Sequence, residues 1–200
     1  MVSVQDPERR ERVAALCDDQ EHVRLAPWFF AFFADHHRLR TAAAQVGEGC
    51  SALDTNEFFT MAVIDAAIAA ERMACAAEAV GLGLCYIGAL RNDAAGVKEV
   101  FGLPEGVFGV FGMTLGWPEV GRAPKVKPRF RPESVWFRET YAPVAGVDEY
   151  DARMSEFYVS EGMKGEITWS MRSGRRADDS RLTGRDRLKA FLDGQRMDRR

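Results

Sequence analysis

Much of what would mark a metal centre, a membrane anchor or a hydrolytic site is missing from these 200 residues. There are only four cysteines, Cys17, Cys50, Cys75 and Cys85, with no CxxC spacing, and three histidines, His22, His36 and His37. No zinc or iron–sulfur site can be built from sequence neighbours of that kind. The longest apolar-looking stretch, Met61 to Cys85, carries Asp65, Glu71, Arg72 and Glu78, which excludes a membrane span. The first ten residues lack the basic region and apolar run of a secretory signal. Unpatterned cysteines without a signal fit reduced thiols, so a cytoplasmic location is expected. Gly-x-Ser-x-Gly, Walker and His-Glu-x-x-His motifs are absent. So is Gly-x-Gly-x-x-Gly; Gly81-Leu82-Gly83 follows a helical pattern and reads as a cap and turn.

What remains is ordinary globular composition, with 46% apolar and 28% charged residues in 22.3 kDa. Residues 1–200 read as a single domain, long enough to bury a core without disulfides. The net charge of -3 is too small to imply a nucleic-acid partner. It is unevenly spread: residues 164–200 hold eleven Lys and Arg against six Asp and Glu. A basic tail can read phosphate, yet this one has only Trp169 and Phe191 as aromatics, and a solvated helix accounts for it equally simply.

Along the chain, Val2 to Gln5 is a short β run, and Asp6-Pro7 caps and opens a helix to Leu16. Ala26 to Ala34 is apolar and aromatic, a buried strand. Residues 36–50 read as a polar, Ala-rich connection. Asp54 and Glu57 have capping-box spacing, so a helix is expected from near Asn56 to Val80, stopped by Gly81. It is Ala-rich on nearly every face, which suits burial inside one core or a helix-to-helix dimer seam. Strands are expected at Leu84 to Ile87 and Val107 to Leu115, with a short helix at Asp93 to Phe101 between them. Residues 119–145 are an extended Pro- and Arg-rich arm; Asp148 to Val159 and Gly184 to Leu192 are helical. Strands and helices in this order predict an α+β or α/β layer protein.

Two segments carry candidate chemistry. In Tyr86-Ile87-Gly88-Ala89 a strand ends in two small residues, which lets a flat ligand approach the backbone; a tight strand exit ahead of a capped helix explains the same residues. In Lys127-Pro128-Arg129 the proline makes Lys127 extended. Residues i and i+2 of an extended chain point the same way, so two cations face one side, suited to a phosphate dianion. A solvated basic loop is the plainer alternative.

The run from Asp65 to Gly83, then Tyr86 to Asp93, Leu103-Pro104, Phe111 to Pro118 and Lys127-Pro128-Arg129 resemble, in order and spacing, the FMN-dependent nitroreductase family. The nearest branch is that of NADPH-preferring flavin reductases and oxygen-insensitive nitroreductases, and the resemblance runs from Val2 to about Leu192. It implies an α+β fold with a central, mostly antiparallel sheet flanked by helices, a long buried central helix and a C-terminal extension over 119–200. It implies a homodimer with FMN at the subunit interface. It places Tyr86, Ile87, Gly88 and Ala89 against the flavin ring and Lys127 and Arg129 on its phosphate. It adds Gln20 and His22 as further flavin contacts, and Arg185 as a residue for NADPH or substrate. The implied reaction is ping-pong: NADPH or NADH reduces the flavin at N5, and a nitroaromatic, a quinone or free flavin then takes the electrons. No catalytic side chain is implied, and neither nucleic acid nor membrane is an expected partner.

Three features depart from that pattern. Met1 falls inside the first strand, so the Arg-Ser-x-Arg and Ser-Ser-Asn segments that precede it in the family are expected upstream of a misassigned start. Ala89 stands where many relatives have a second glycine, which is tolerable at negative φ. Glu161 stands where the branch often carries arginine, which bears on NADPH against NADH. The reading opposed to an enzyme is a flavin-free dimerisation protein on the same fold, left without its N-terminal cradle.

Overall fold

The computed structural model describes residues 1–121, 125–165 and 167–197. Residues 122–124 of the expected arm, and Glu166 and residues 198–200 of the basic tail, lie outside these. The chain forms two compact units, one from Met1–Val120 with Thr183–Arg200, the other Gly121–Leu182.

The first unit is built on a four-stranded antiparallel sheet, order β1-β2-β4-β3: β1 (Val2–Val4), β2 (Trp28–Asp35), β3 (Gly83–Ile87) and β4 (Val107–Gly116). Side chains of β2 alternate between two cores. Phe29 and Ala31 join α1 (Pro7–Leu16), α2 (Glu21–Leu25) and α5 (Ala94–Phe101) on one face. Phe32 and Ala34 join α4 (Asn56–Ala79) and α8 (Leu188–Gly194) on the other. A strand covered on both faces needs no polar residues, hence the unbroken apolar run.

The β2–β4 register slips between Phe32 and Phe33, leaving Val110 as the extra residue of β4. The Arg91 guanidinium donates to the Val110 carbonyl. Gly112 is required by packing: a Cβ there would overlap Cζ of the fully buried Phe29.

Helix α1 begins as expected, with Asp6 Oδ1 accepting from the Arg9 N–H at 2.8 Å and Pro7 in its first turn. So does α5, whose Asp93 carboxylate accepts from the Gly96 N–H at 2.9 Å. Helix α4 buries only the stripe Ala66, Ala70, Ala74 and Ala77 within this chain. Met61, Ile64 and Ile68, on another face, are exposed.

Three local expectations are corrected. The expected connection over 36–50 contains a helix, α3 (His37–Gln45), started by Asp35 Oδ1 accepting from the Arg38 N–H at 3.0 Å. It has no buried residue, so no apolar stripe announced it. The capping box at α4 does not form: Thr55 is the N-cap without a side-chain bond, and Asp54 is ion-paired with Arg40 and Arg196 instead. The helix expected from Gly184 starts later, because Gly184 is left-handed (φ 81°) and Arg185–Arg187 form a 3₁₀ turn before α8.

The second unit contains α6 (Val147–Ser160), α7 (Trp169–Arg176) and an extended N-terminal segment. Its core is small: Tyr150, Met154 and Tyr158, with Phe130 and Trp169 packed against them. The short α2 and α7 were not foreseen; α7 is capped by Thr168 Oγ1, which accepts from the Met171 N–H at 3.1 Å.

Candidate functional site

Strand β3 delivers the first segment. Tyr86 pairs with Met113 and Ile87 with Gly112, and the chain then turns through a 3₁₀ turn at Gly88–Arg91. Ile87, Ala89 and Leu90 are buried, while Tyr86 is 42% exposed. The β-carbon of Ala89 is accommodated, since Ala89 is not among the residues with positive φ. The Tyr86 hydroxyl donates to Glu71 Oε2 of α4 at 3.0 Å, and its ring stands edge-on to Phe111 at 5.7 Å. Burial and the hydrogen bond to the Glu71 carboxylate push the Tyr86 phenol above its usual range. Cys75 donates to the other oxygen of Glu71, and that bond, with burial, raises its thiol. Glu71 was missed by sequence reasoning, for nothing in the linear pattern links it to a tyrosine fifteen residues on.

Arg185 comes to this segment from the far end of the chain. Its guanidinium Nη2 donates to the Gly88 carbonyl at 3.1 Å. Sequence order gave no hint of that contact across 97 residues.

Gln20 is the N-cap of α2, half-buried, and its side chain makes no cap bond. His22 lies on the wall of a cleft of about 640 Å³ with Cys85, Thr114, Trp117 and Glu119. Tyr86 to Ala89 do not line that cleft, and neither does Gln20. The structure therefore brings Arg185 to the Tyr86–Ala89 segment, while the cleft that His22 lines includes neither that segment nor Gln20.

In the second unit, Lys125, Lys127, Arg129 and Arg131 alternate along the extended segment. The outer two are neutralised: Lys125 pairs with Glu161 at 3.0 Å and Arg131 with Glu149 at 2.6 Å. The inner two are exposed, and neither has a carboxylate partner among the described residues. Arg129 donates only to the Lys127 carbonyl, at 3.3 Å. The backbone between them is held, since the Pro128 carbonyl accepts from the Tyr150 hydroxyl at 3.2 Å and Phe130 stacks on Tyr150 at 3.9 Å. A fixed strand with two uncompensated cations has the donor chemistry of a phosphate site. Glu161, one of the departures from the resembled pattern, is here the partner of Lys125.

Residues 4–117 match the family model described as "Nitroreductase family", and residues 127–200 match "Nitroreductase family, C-terminal domain". An FMN reductase (NADPH) from Bacillus subtilis is 36% identical over 177 residues, covering 85% of this chain and 70% of that protein. The oxygen-insensitive NADPH nitroreductase of Salmonella typhimurium is 32% identical over 173 residues, 85% of this chain and 69% of that protein. Among solved structures, the NADPH:FMN oxidoreductase of Vibrio harveyi complexed with NAD+ superposes with a TM-score of 0.85 at 32% identity, covering 100% of this chain and 80% of that one.

Proposed function

The chain belongs to the nitroreductase family, and on that premise we propose that it is an FMN-dependent NAD(P)H oxidoreductase acting on flavins, nitroaromatics or quinones. When bound, FMN supplies the electron relay, accepting hydride at N5 from the nicotinamide and passing electrons to the acceptor in a ping-pong cycle. The chain's own residues bind and orient. Lys127 and Arg129 neutralise the phosphate. Tyr86, Ile87, Gly88 and Ala89 present backbone and a partly exposed phenol to the ring. Gln20 and His22 are secondary contacts.

The observation that carries this reading is the pairing pattern of the basic segment, with Lys127 and Arg129 lacking a carboxylate partner among the described residues while their two neighbours are neutralised. Two charge-assisted hydrogen bonds to a phosphate contribute about 1.5–3 kcal/mol each. Lys127→Ala with Arg129→Ala is therefore expected to raise the FMN dissociation constant at least about 100-fold, read by quenching of flavin fluorescence. Unchanged affinity would remove the pair from the site. NADPH and NADH oxidation by the loaded protein, with a quinone, a nitroaromatic and free FMN as acceptors, would rank the substrates. If the wild-type chain took up no FMN, the flavin-free interaction reading would stand instead.

The same reading includes a homodimer. Met61, Ile64 and Ile68 recur at helical spacing on one exposed stripe of α4, and a second copy is the occupant that the family supports. Ile68→Glu is expected to shift the protein to monomer in analytical ultracentrifugation. Among the described residues no helix is long and apolar enough to cross a membrane.

A further inference from the structure

The contact between Arg185 and Gly88 has a consequence for the flavin segment. Peptide units are planar, so a carbonyl held in one direction fixes the next N–H in the opposite one. The Gly88 carbonyl is held by Arg185 Nη2 at 3.1 Å. The 3₁₀ turn Gly88–Arg91 orients this peptide from within, and Arg185, 96 positions after Ala89, adds a second hold on the direction of the Ala89 N–H.

The donor arrives on an anchored segment. Gly184 is left-handed at φ 81°, and a Cβ there would overlap the Asn92 carbonyl oxygen, so the two backbones meet directly. Beyond Arg185, Leu192 and Met197 are buried in the α4-side core. Lys98 Nζ donates to Gln195 Oε1 at 3.0 Å, and Arg40 donates to the Arg196 carbonyl at 2.9 Å. With the backbone already anchored, the bond to Gly88 orders only the arginine side chain and no further stretch of chain.

We infer that Arg185 is a positioning residue for the Gly88–Ala89 peptide, and that it acts on flavin binding through that peptide and not by reading the phosphate of the nicotinamide donor. The flavin part rests on the function proposed above; the effect on the peptide does not. Arg185→Met keeps the aliphatic stem and removes the donors, while Arg185→Lys keeps one donor.

The first measurement is hydrogen exchange of the Gly88–Asn92 amides in the flavin-free chain, followed by mass spectrometry. Arg185→Met is expected to speed it about tenfold, the loss of one hydrogen bond to a charged donor, and Arg185→Lys to stay within about threefold of wild type. The second is FMN affinity and donor choice. Arg185→Met is expected to raise the FMN dissociation constant about tenfold and leave the ratio of KM for NADPH to KM for NADH unchanged. Unchanged exchange and FMN affinity, with NADPH discrimination lost, would overturn the proposal and make Arg185 a reader of the donor phosphate. Absence of FMN binding in the wild-type chain would sink the proposed function alone, and the exchange data would still decide the role of Arg185. Should Arg185→Met not fold, Arg185→Lys decides: retained exchange protection with an unchanged KM ratio supports positioning, and a changed ratio overturns it.

Discussion

The two units of this chain satisfy their side chains in opposite ways. In the first, aromatics are consumed inside: Phe29, Phe32 and Phe108 are buried on the two faces of one sheet. Polar side chains there are matched internally, as in Tyr86 with Glu71, Asp54 with Arg40 and Arg196, and Arg91 with the Val110 carbonyl. In the second, a few aromatics close a small core while Val126, Trp136 and Tyr141 stand exposed. Among the described residues, Lys127 and Arg129 have no carboxylate partner. The first unit packs its sheet on both faces and leaves the α4 stripe of Met61, Ile64 and Ile68 exposed. The second leaves a larger share of its aromatic and basic side chains on the surface, Trp136, Tyr141, Lys127 and Arg129 among them.

Glycine tests that contrast most sharply, because one substitution should have opposite signs in the two units. Gly112→Ala in β4 drives a methyl into the Phe29 ring, and the dense core can yield only by moving a fully buried side chain. A destabilisation of about 3 kcal/mol is expected in urea unfolding. Gly174→Ala in α7 meets nothing within 4 Å on an exposed helix face. It is expected to stabilise the second unit by about 0.5–1 kcal/mol, through helix propensity. A loss at Gly174 would mean that this face is covered in solution.

The difference between the units also marks what the sequence made legible. β2 and β4 were readable because burial on both faces leaves an apolar run in the residues themselves, and the end of α4 because Gly81 follows it. Helix α3 was not, since an exposed helix writes no apolar stripe, and its Asp35 cap sits at the end of a strand. Asp54 was misread because the spacing Asp54–Glu57 fits a cap, whereas two guanidinium groups distant in sequence compete for the same carboxylate. Lys127 and Arg129 were readable from alternation around a proline, yet which cations stay unpaired depended on Glu149 and Glu161. Tyr86 was visible as a strand-end residue; its partner Glu71 and the hold of Arg185 on Gly88 are long-range facts that no local spacing encodes.

A middle-sized effect is expected at the Asp54 cluster of the first unit. Asp54 and Arg40 are less than a fifth exposed. Burial alone would raise the Asp54 carboxyl, but the hydrogen bonds and charge of Arg40 and Arg196 outweigh it and hold the carboxyl below its usual range. A carboxylate lowered on folding contributes stability that is complete above its unfolded pKa of about 4 and is lost as pH falls through the folded value. Asp54→Asn should therefore cost about 2 kcal/mol at pH 7. The gap between wild type and variant should close on acidification toward pH 3. A gap that stayed constant with pH would mean that packing, and not the charge, is what Asp54 supplies.

The smallest effect concerns the phenol that the first unit turns outward. The Tyr86 hydroxyl donates its proton in a hydrogen bond to Glu71, which leaves its oxygen with acceptor capacity alone. Burial raises the phenol, and the Glu71 carboxylate adds to that through its hydrogen bond and its charge. Glu71→Gln keeps an acceptor at the same place and removes the charge. The Tyr86 component of the ultraviolet phenolate titration, identified by its loss in Tyr86→Phe, should then move down toward the ordinary tyrosine value. An unmoved midpoint would assign the shift to burial alone. It would also remove Glu71 from the internal pairing that separates this unit from the other, leaving Tyr86 as exposed chemistry of the kind seen at Lys127 and Arg129.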